Sequence, residues 1–223
     1  MGRSNPSKSG ELVQLDRHAF RQAASKTVEW GDSKIIDGVL NGEPAAADAL
    51  YFRVQDVVVR AVRQVMGGGD SEVEDLTQVA FERIIHSLAR GRYARQCSLR
   101  TWASLIASRV AIDALRGRKR ERNLFDPSAP YTEELNESRD PNATPEQSAE
   151  GRRQLTALSA ALARMKPEKA QTVFLHDVFG HDLKEIAALM GVSVAAAQSR
   201  LVRGRRELLR RYRSTFVTTD KES

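Results

Sequence analysis

Arginine is the residue type whose number and spacing suggest a chemical role in this chain. Seven arginines fall between residues 200 and 213, and five arginines and lysines fall between residues 116 and 122. A guanidinium group can donate two parallel hydrogen bonds to a phosphate or to the edge of a guanine. The formal charge of +6 permits a polyanionic partner, and these clusters indicate where it would bind. Two separated cationic stretches favour two contacts on one long polyanion.

The other residue types give no pattern typical of catalysis or metal binding. The single cysteine, Cys97, excludes a disulfide framework and a cysteine-based metal cluster. Residues 67–69 are three glycines, but no Gly-Lys-Ser or Gly-Lys-Thr follows them, so they indicate a helix end rather than a phosphate loop. The histidines are dispersed without metal-ligand spacing: His18, His86, His176 and His181. We therefore expect no catalytic residue, no metal and no cofactor.

The C-terminal arginines belong to a helix-turn-helix pattern. Asp182 and Glu185 have the spacing of a capping box that opens a short helix. The apolar face of this helix consists of Leu183, Ile186, Ala187 and Met190. Gly191 supplies the turn, and Ser193 is a good N-cap for a second, more basic helix.

The second helix begins near residue 194 and has an apolar and a basic face. The residues expected to face inward are Val194, Ala197, Leu201 and Leu208. The residues expected to face away from the core are Arg203, Arg206 and Arg210. A helix-turn-helix of this kind places its second helix in the major groove of DNA. An ordinary helical hairpin with a charged, solvated face is the alternative.

The N-terminal half of the chain also has helical periodicity. Apolar spacing predicts a helix from about 32 to 41, a longer one opened by Pro44, and a third from Ser71 to Leu88. In the third helix, Phe81 and Ile85 lie off the apolar stripe and among polar residues. They indicate either a docking surface for another protein or a second core contact.

A basic, polar connector at residues 91–98 precedes a helix predicted at 99–122. Trp102 in that helix could stack on nucleic-acid bases, but its apolar surroundings favour a place in the core. The composition then inverts, because residues 123–150 hold seven acidic residues, four prolines and one arginine, Arg139. This composition predicts a flexible acidic linker, after which helical spacing resumes near Gln154.

The composition as a whole favours an all-α fold. Aromatic residues make up 6% of the chain, β-branched runs are scarce, and good helix formers dominate. We predict two small helical domains joined by the acidic linker. The predicted boundaries are 1–30 for an unassigned N-terminal extension, 31–122 for the first domain, 123–150 for the linker, 151–213 for the second domain and 214–223 for a tail. The start lacks a signal peptide pattern and no apolar run reaches about 18 residues, so we expect a cytoplasmic protein with no membrane contact.

Three stretches of the chain resemble bacterial sigma factors. Residues 75–81 resemble the region 2.2 signature of that family, and residues 100–102 with 111–116 resemble its region 2.3 to 2.4 helix. Residues 185–187 and 191–193, with the following Ser199-Arg200-Leu201, resemble region 4.2. No recognisable region 1.1 or region 3 domain accompanies them. This two-domain form is similar to the extracytoplasmic-function (ECF) sigma factors.

The resemblance implies a transcription initiation factor that binds core RNA polymerase, selects promoters and assists their melting. The implied polymerase contacts are Asp75, Gln78, Phe81, Glu82 and Ile85. The implied contacts to the melted −10 element are Tyr93, Arg95, Gln96, Arg109, Asp113, Arg116, Lys119 and Arg120. The implied contacts to the −35 duplex are Ala195, Ala196, Gln198, Ser199, Arg200, Arg203, Arg205 and Arg206. Such factors are often held by an anti-sigma factor, which nothing in the sequence identifies, and no small-molecule substrate is expected.

The chain departs from the family pattern at a few positions. Val79 replaces the usual acidic residue, Ala197 and Gln198 replace a common valine and lysine, and Gly204 replaces alanine. Gly204 should cost about 1 kcal/mol of helix propensity. A stand-alone helix-turn-helix regulator is the main alternative function, and an enzyme is the alternative from another class. A regulator would have no need of the polymerase contacts on the third helix.

Overall fold

The computed structural model describes residues 30–66, 70–125 and 145–219, and the regular structure in these ranges is entirely helical. Eight helices follow one another: α1 (Asp32–Leu40), α2 (Pro44–Met66), α3 (Asp70–Ala89), α4 (Leu99–Phe125), α5 (Pro145–Ala163), α6 (Pro167–Asp177), α7 (Leu183–Met190) and α8 (Val194–Thr219). The predicted all-α fold is confirmed. Among the described residues, no single helix is both long and apolar enough to cross a membrane.

Helices α1 to α4 pack around one apolar core. The buried faces follow the periodicity of the sequence, because α2 contributes residues three or four apart, such as Val54, Val58 and Ala61. Ile84 of α3 and Leu99 of α4 are fully buried against them. Trp102 is 7% exposed and belongs to this core, which favours the core alternative over base stacking.

Three predicted boundaries differ from the observed ones by three residues or more. Helix α4 continues to Phe125, α5 begins at Pro145 rather than near Gln154, and α8 continues to Thr219. Pro145 is one of the four prolines of residues 123–150 that were expected to interrupt helical structure, and for Pro145 that prediction was wrong. A proline in the first position of a helix loses no hydrogen bond, since the first N–H groups have no partner there, and its fixed φ angle is helical. The stretch between helices therefore shortens to residues 126–144.

Helices α5 to α8 form a second unit with α6 at its centre. Residues 170–175 of α6 are all buried. Gly204 of α8 lies directly against this helix, since a Cβ atom there would come within 2.7 Å of Val173 Cγ2 and 3.2 Å of the Lys169 carbonyl oxygen. The absent side chain lets α6 and α8 approach closely. Helix propensity alone, on which the sequence expectation rested, leaves out this packing role.

The two units are packed against each other through a shared apolar cluster. Val65 of α2 and Leu115 of α4 meet Leu162, Met165 and Phe174 of the second unit, and all five are at most 5% exposed. Three polar contacts also join the units. Ser159 Oγ donates to the Val65 carbonyl at 3.2 Å, and Gln171 Nε2 donates to the Leu105 carbonyl at 3.4 Å. A third hydrogen bond, 3.0 Å long, lies between Ser104 Oγ and His181 Nε2. The sequence predicted two units but not this contact between them.

Candidate nucleic-acid interface

Helices α7 and α8 form the predicted helix-turn-helix, and the residues between them have the predicted roles. Asp182 Oδ1 accepts from the Glu185 amide at 2.8 Å, and Glu185 Oε2 accepts from the Asp182 amide at 3.2 Å, which completes the capping box. Gly191 ends α7 in the left-handed conformation, with φ 62° and ψ 40°. Ser193 Oγ accepts from the Ala196 amide at 3.2 Å. The two helices are bent by 104°, within the range of about 90–120° typical of the motif.

The first turns of α8 present small and basic side chains to solvent. Ala195, Gln198 and Arg203 are exposed, while Ala196, Ser199 and Arg200 are half-buried. Val194 was predicted to face inward, and that prediction was wrong, because its side chain is 44% exposed. Ala197, which was also predicted to face inward, packs in one cluster with Ile186 and Leu175, since α8 contacts α7 one turn after its start.

Two arginines further along α8 are held by carboxylates of their own unit. Arg205 donates through Nε to Asp177 Oδ2 at 3.0 Å and through Nη2 to Asp177 Oδ1. This hydrogen-bonded arginine lowers the pKa of Asp177 below its usual value. Arg211 Nε donates to Glu207 Oε1 at 3.0 Å, and Lys169 Nζ contacts the other oxygen of Glu207 at 2.7 Å. A DNA phosphate would have to compete with Asp177 for Arg205, whereas Arg206 is exposed.

The basic end of α4 has a mixed environment. Arg109 and Arg120 are exposed, and Arg116 is half-buried. Asp113 Oδ2 lies 3.9 Å from Arg83 Nη1 of α3. Lys119 faces the second unit: burial, and then the charges of Arg164 and Arg211, lower the pKa of its ammonium group. The basic clusters of the two units therefore approach each other at Lys119.

The connector at residues 91–98 is an ordered loop. The Tyr93 ring packs on Trp102 with 5.0 Å between ring centroids, and its hydroxyl donates to the Cys97 carbonyl. Burial raises the pKa of Tyr93 to about 12. Tyr93 is therefore part of the loop's support, whereas Arg95 and Gln96 are exposed. Arg95 has a positive φ of 56° and pairs with Asp37 of α1.

The predicted docking residues form a patch on the outer face of α3. Asp75, Gln78 and Glu82 are exposed, and Ile85 is 44% exposed. Phe81 combines the two roles that its spacing left open, because it is half-buried against the core and also reaches the surface.

Tyr51 of α2 extends this patch and was missed by the sequence analysis. It is 38% exposed, and its ring lies 4.8 Å from that of Phe81 between centroids. A possible signal was present, since Tyr51 is an aromatic residue off the valine and alanine stripe of its helix. We define the docking patch as Tyr51, Asp75, Gln78, Phe81, Glu82 and Ile85.

Comparison with known proteins identifies the family. Residues 50–121 match Sigma-70 region 2, and residues 155–208 match Sigma-70, region 4. The RNA polymerase sigma factor CarQ of Myxococcus xanthus is 34% identical over 162 residues, which is 70% of this chain and 80% of CarQ. The chain belongs to the ECF sigma factors. Its region 2 thus holds the docking patch, the 91–98 loop and the basic end of α4, and its region 4 holds the helix-turn-helix.

This ECF sigma factor matches only part of the length of some relatives. The ECF RNA polymerase sigma factor SigE of Mycolicibacterium smegmatis is 32% identical over 161 residues, which is 72% of this chain but 59% of SigE. Among solved structures, that of CnrH in complex with the cytosolic domain of CnrY is 20% identical, with a TM-score of 0.48 over 85% of this chain and 98% of CnrH. Helix α1 lies before the match to region 2, which begins at residue 50.

Proposed function

We propose that this ECF sigma factor binds core RNA polymerase and directs it to promoters by reading a −35 element as duplex and a −10 element as a melted strand. The observation that carries the proposal is the presence in one chain of a helix-turn-helix and of a separate unit with an outward docking patch. A stand-alone regulator requires only the first of these. The chain itself makes or breaks no bond, needs no cofactor and works in the cytoplasm, where its partners are.

The start of α8 reads the −35 element. Arg200 and Arg203 can each donate twice to a guanine edge in the major groove, and the small Ala195 and Ala196 allow close approach to thymine methyl groups. The exposed Arg206 holds a phosphate, which positions the helix without specifying sequence. Arg205 contributes charge at the same surface but remains tied to Asp177.

The 91–98 loop and α4 bind the −10 element. A base extruded from the stack needs a pocket and a polar edge to meet it. Arg95 and Gln96 are exposed polar side chains of the loop that can supply that edge. Arg109 and Arg120 lie exposed along α4, where they can follow the phosphates of the melted strand.

The docking patch has the composition of a protein interface. It combines apolar side chains, those of Ile85, Phe81 and Tyr51, with exposed polar ones, those of Asp75, Gln78 and Glu82. Apolar and aromatic side chains beside polar ones are typical of surfaces that bind another protein. We assign this patch to core RNA polymerase. An anti-sigma factor stays a prediction from the family resemblance.

The packed arrangement of regions 2 and 4 must open for this function. Helix α6 contacts both α4 and α8, and packed helices lie about 8–10 Å apart, so α4 and α8 are within about 20 Å of each other. The two promoter elements lie roughly 50–60 Å apart at about 3.4 Å per base step. Binding to polymerase and promoter therefore separates the units, and the shared apolar cluster opposes that step.

Pull-down of core polymerase tests the docking patch. We expect the full chain to retain core polymerase and the double variant Gln78→Ala with Phe81→Ala to lose most of that binding. Leu40→Ala is the matched control, because Leu40 is 49% exposed but lies on α1, outside the patch. A chain that binds promoter DNA specifically and never retains core polymerase would be a stand-alone regulator.

Run-off transcription with core polymerase over a randomised promoter library tests the reading of DNA. Arg203→Ala should relax base choice at one −35 position by about 1–3 kcal/mol, whereas Arg206→Ala should weaken all promoters alike. A uniform loss for Arg203→Ala would reassign that arginine to a phosphate.

A further inference from the structure

We propose that Asp32 and Asp37 of α1 are positioning residues that fix the 91–98 loop and thereby set its choice of base in the −10 element. The proposal rests on the proposed function of that loop in promoter binding. Neither carboxylate needs to touch DNA, because each acts through groups of the loop or its ends. Both residues lie before the stretch that matches Sigma-70 region 2, so the match does not include them.

The conformation of Arg95 is the first reason. Its φ of 56° lies in the left-handed region, which a residue with a side chain rarely adopts. Such a conformation persists only where the surrounding structure holds it. Its side chain is held from far along the chain, because Nη2 donates to Asp37 Oδ1 at 2.5 Å across 58 residues of sequence. Asp37 thus selects the direction of the Arg95 side chain.

The end of the loop is fixed by the other carboxylate. Asp32 Oδ2 accepts from the Leu99 amide at 2.8 Å, which satisfies a backbone donor at the start of α4. The other oxygen of Asp32 accepts from Arg53 Nη1 of α2 at 3.2 Å, so the carboxylate is itself held in place. The Asp32 side chain is 29% exposed, compared with 58% for Asp37. Asp32 is therefore the stronger anchor.

Tyr93 completes the support from inside the loop. Its hydroxyl donates to the Cys97 carbonyl, and its ring rests on the buried Trp102. The two ends of the segment 93–99 are thereby held by the core and by Asp32. Within this segment, Arg95 and Gln96 are exposed, and Arg95 pairs with Asp37.

This arrangement prepares Arg95 for recognition without using up its donors. A guanidinium group has five N–H donors, and the described contact with Asp37 uses one nitrogen, Nη2. The remaining donors are presented in a direction set before DNA binds. Preorganised donors discriminate between bases better than mobile ones, because less ordering opposes the correct contact. Loss of Asp37 should therefore relax discrimination more than it weakens overall binding.

Transcription from two promoter libraries tests the proposal, with wild-type protein and Asp37→Ala. One library is randomised in the −10 element and the other in the −35 element. We expect Asp37→Ala to relax base preference at one −10 position about 1.5- to fivefold, the range for loss of an exposed ion pair, and to leave −35 preference unchanged. Asp37→Glu retains the carboxylate and should restore most of the preference.

Asp177→Ala is the matched control, since it breaks a comparable exposed pair with Arg205 in region 4. Any change it causes should fall on −35 preference alone. An unchanged −10 preference for Asp37→Ala would overturn the proposal. Equal relaxation in both libraries would overturn it as well, because a general loss of structure would then be the cause.

Hydrogen exchange of the loop amides separates this proposal from the proposed function. Exchange within residues 91–98 should be faster in Asp37→Ala, and faster still in Asp32→Ala, with α6 and α8 unchanged. If wild-type protein gave no transcript with core polymerase, the proposed function would fail. The −10 role would fail with it, whereas faster exchange would still support bracing of the loop. Unchanged exchange in both variants would overturn the bracing itself.

Discussion

Regions 2 and 4 both present arginines to solvent, but they hold them in place by contacts of different range. In region 4, Glu207 holds Arg211 four residues away on the same helix, and Asp177 holds Arg205 across 28 residues. In region 2, Arg95 pairs with Asp37 across 58 residues. The arginines Arg205 and Arg211 of region 4 are thus held by nearer parts of the chain, whereas Arg95 of region 2 depends on a helix more distant in sequence. The proposed binding of DNA by region 2 should therefore be the more sensitive to changes elsewhere in its unit.

The two basic helices also differ in what surrounds their glycines. Gly117 of α4 has no atom within 4 Å of the place where a Cβ would lie, whereas the Cβ position of Gly204 of α8 is occupied by Val173. Gly117 only lowers the helix propensity of α4. Gly204 permits α6 and α8 to pack closely.

The largest expected effect concerns the cluster that joins the two regions. Phe174 is 3% exposed within it, so Phe174→Ala should lower the free energy of unfolding by about 3–5 kcal/mol. Denaturant unfolding followed by circular dichroism measures this loss. Leu155→Ala, at a residue 44% exposed on α5, is the control and should change stability little. A loss below 1 kcal/mol for Phe174→Ala would mean that this packing contributes little in solution.

The glycine comparison predicts effects of opposite sign. Gly204→Ala should destabilise by about 1–3 kcal/mol, because the added methyl group overlaps Val173 Cγ2. Gly117→Ala should stabilise by about 0.5–1 kcal/mol through helix propensity alone. Thermal unfolding of both variants checks the pair. If both variants gained the same stability, α6 would have to move away from α8 at no cost in free energy.

The smallest expected effect concerns the pair formed by Asp177 and Arg205. Because Arg205 lowers the pKa of Asp177 from its usual 3.8, the folded state binds this proton less readily than the unfolded one. The stability that the Asp177–Arg205 pair contributes is present above pH 3.8 and is lost as the pH falls through the lowered pKa of Asp177. Asp177→Asn should therefore cost less than about 1 kcal/mol at neutral pH and nothing in stronger acid. Melting temperatures of the two proteins should converge as the pH is lowered, and a constant difference would contradict the pairing.

The helix-turn-helix could be predicted from the sequence in detail, because its determinants are local. Asp182, Glu185, Gly191 and Ser193 act within a few residues of themselves, and capping rules describe such contacts. Val194 was assigned wrongly, since helical spacing gives a face but not the point at which a neighbouring helix begins to cover it.

The contacts between distant parts of the chain could not be predicted. Helical spacing after Gln154 indicated a helix, but nothing local says that region 2 covers Leu158 and Leu162 on it. Likewise, Asp37 and Arg95 are ordinary surface residue types until the fold brings them together. The same holds for Tyr51, whose role in the docking patch depends on its position beside Phe81.

The early start of α5 limits the distance that can separate α4 from α5. Only 19 residues, 126 to 144, separate the end of α4 from Pro145. Fully extended, they span at most about 65 Å, against roughly 90–100 Å for the 28 residues expected from composition. Each base pair inserted between the two promoter elements adds about 3.4 Å. If regions 2 and 4 bind the two promoter elements as proposed, tolerance of a lengthened promoter spacer should therefore end after a few inserted base pairs.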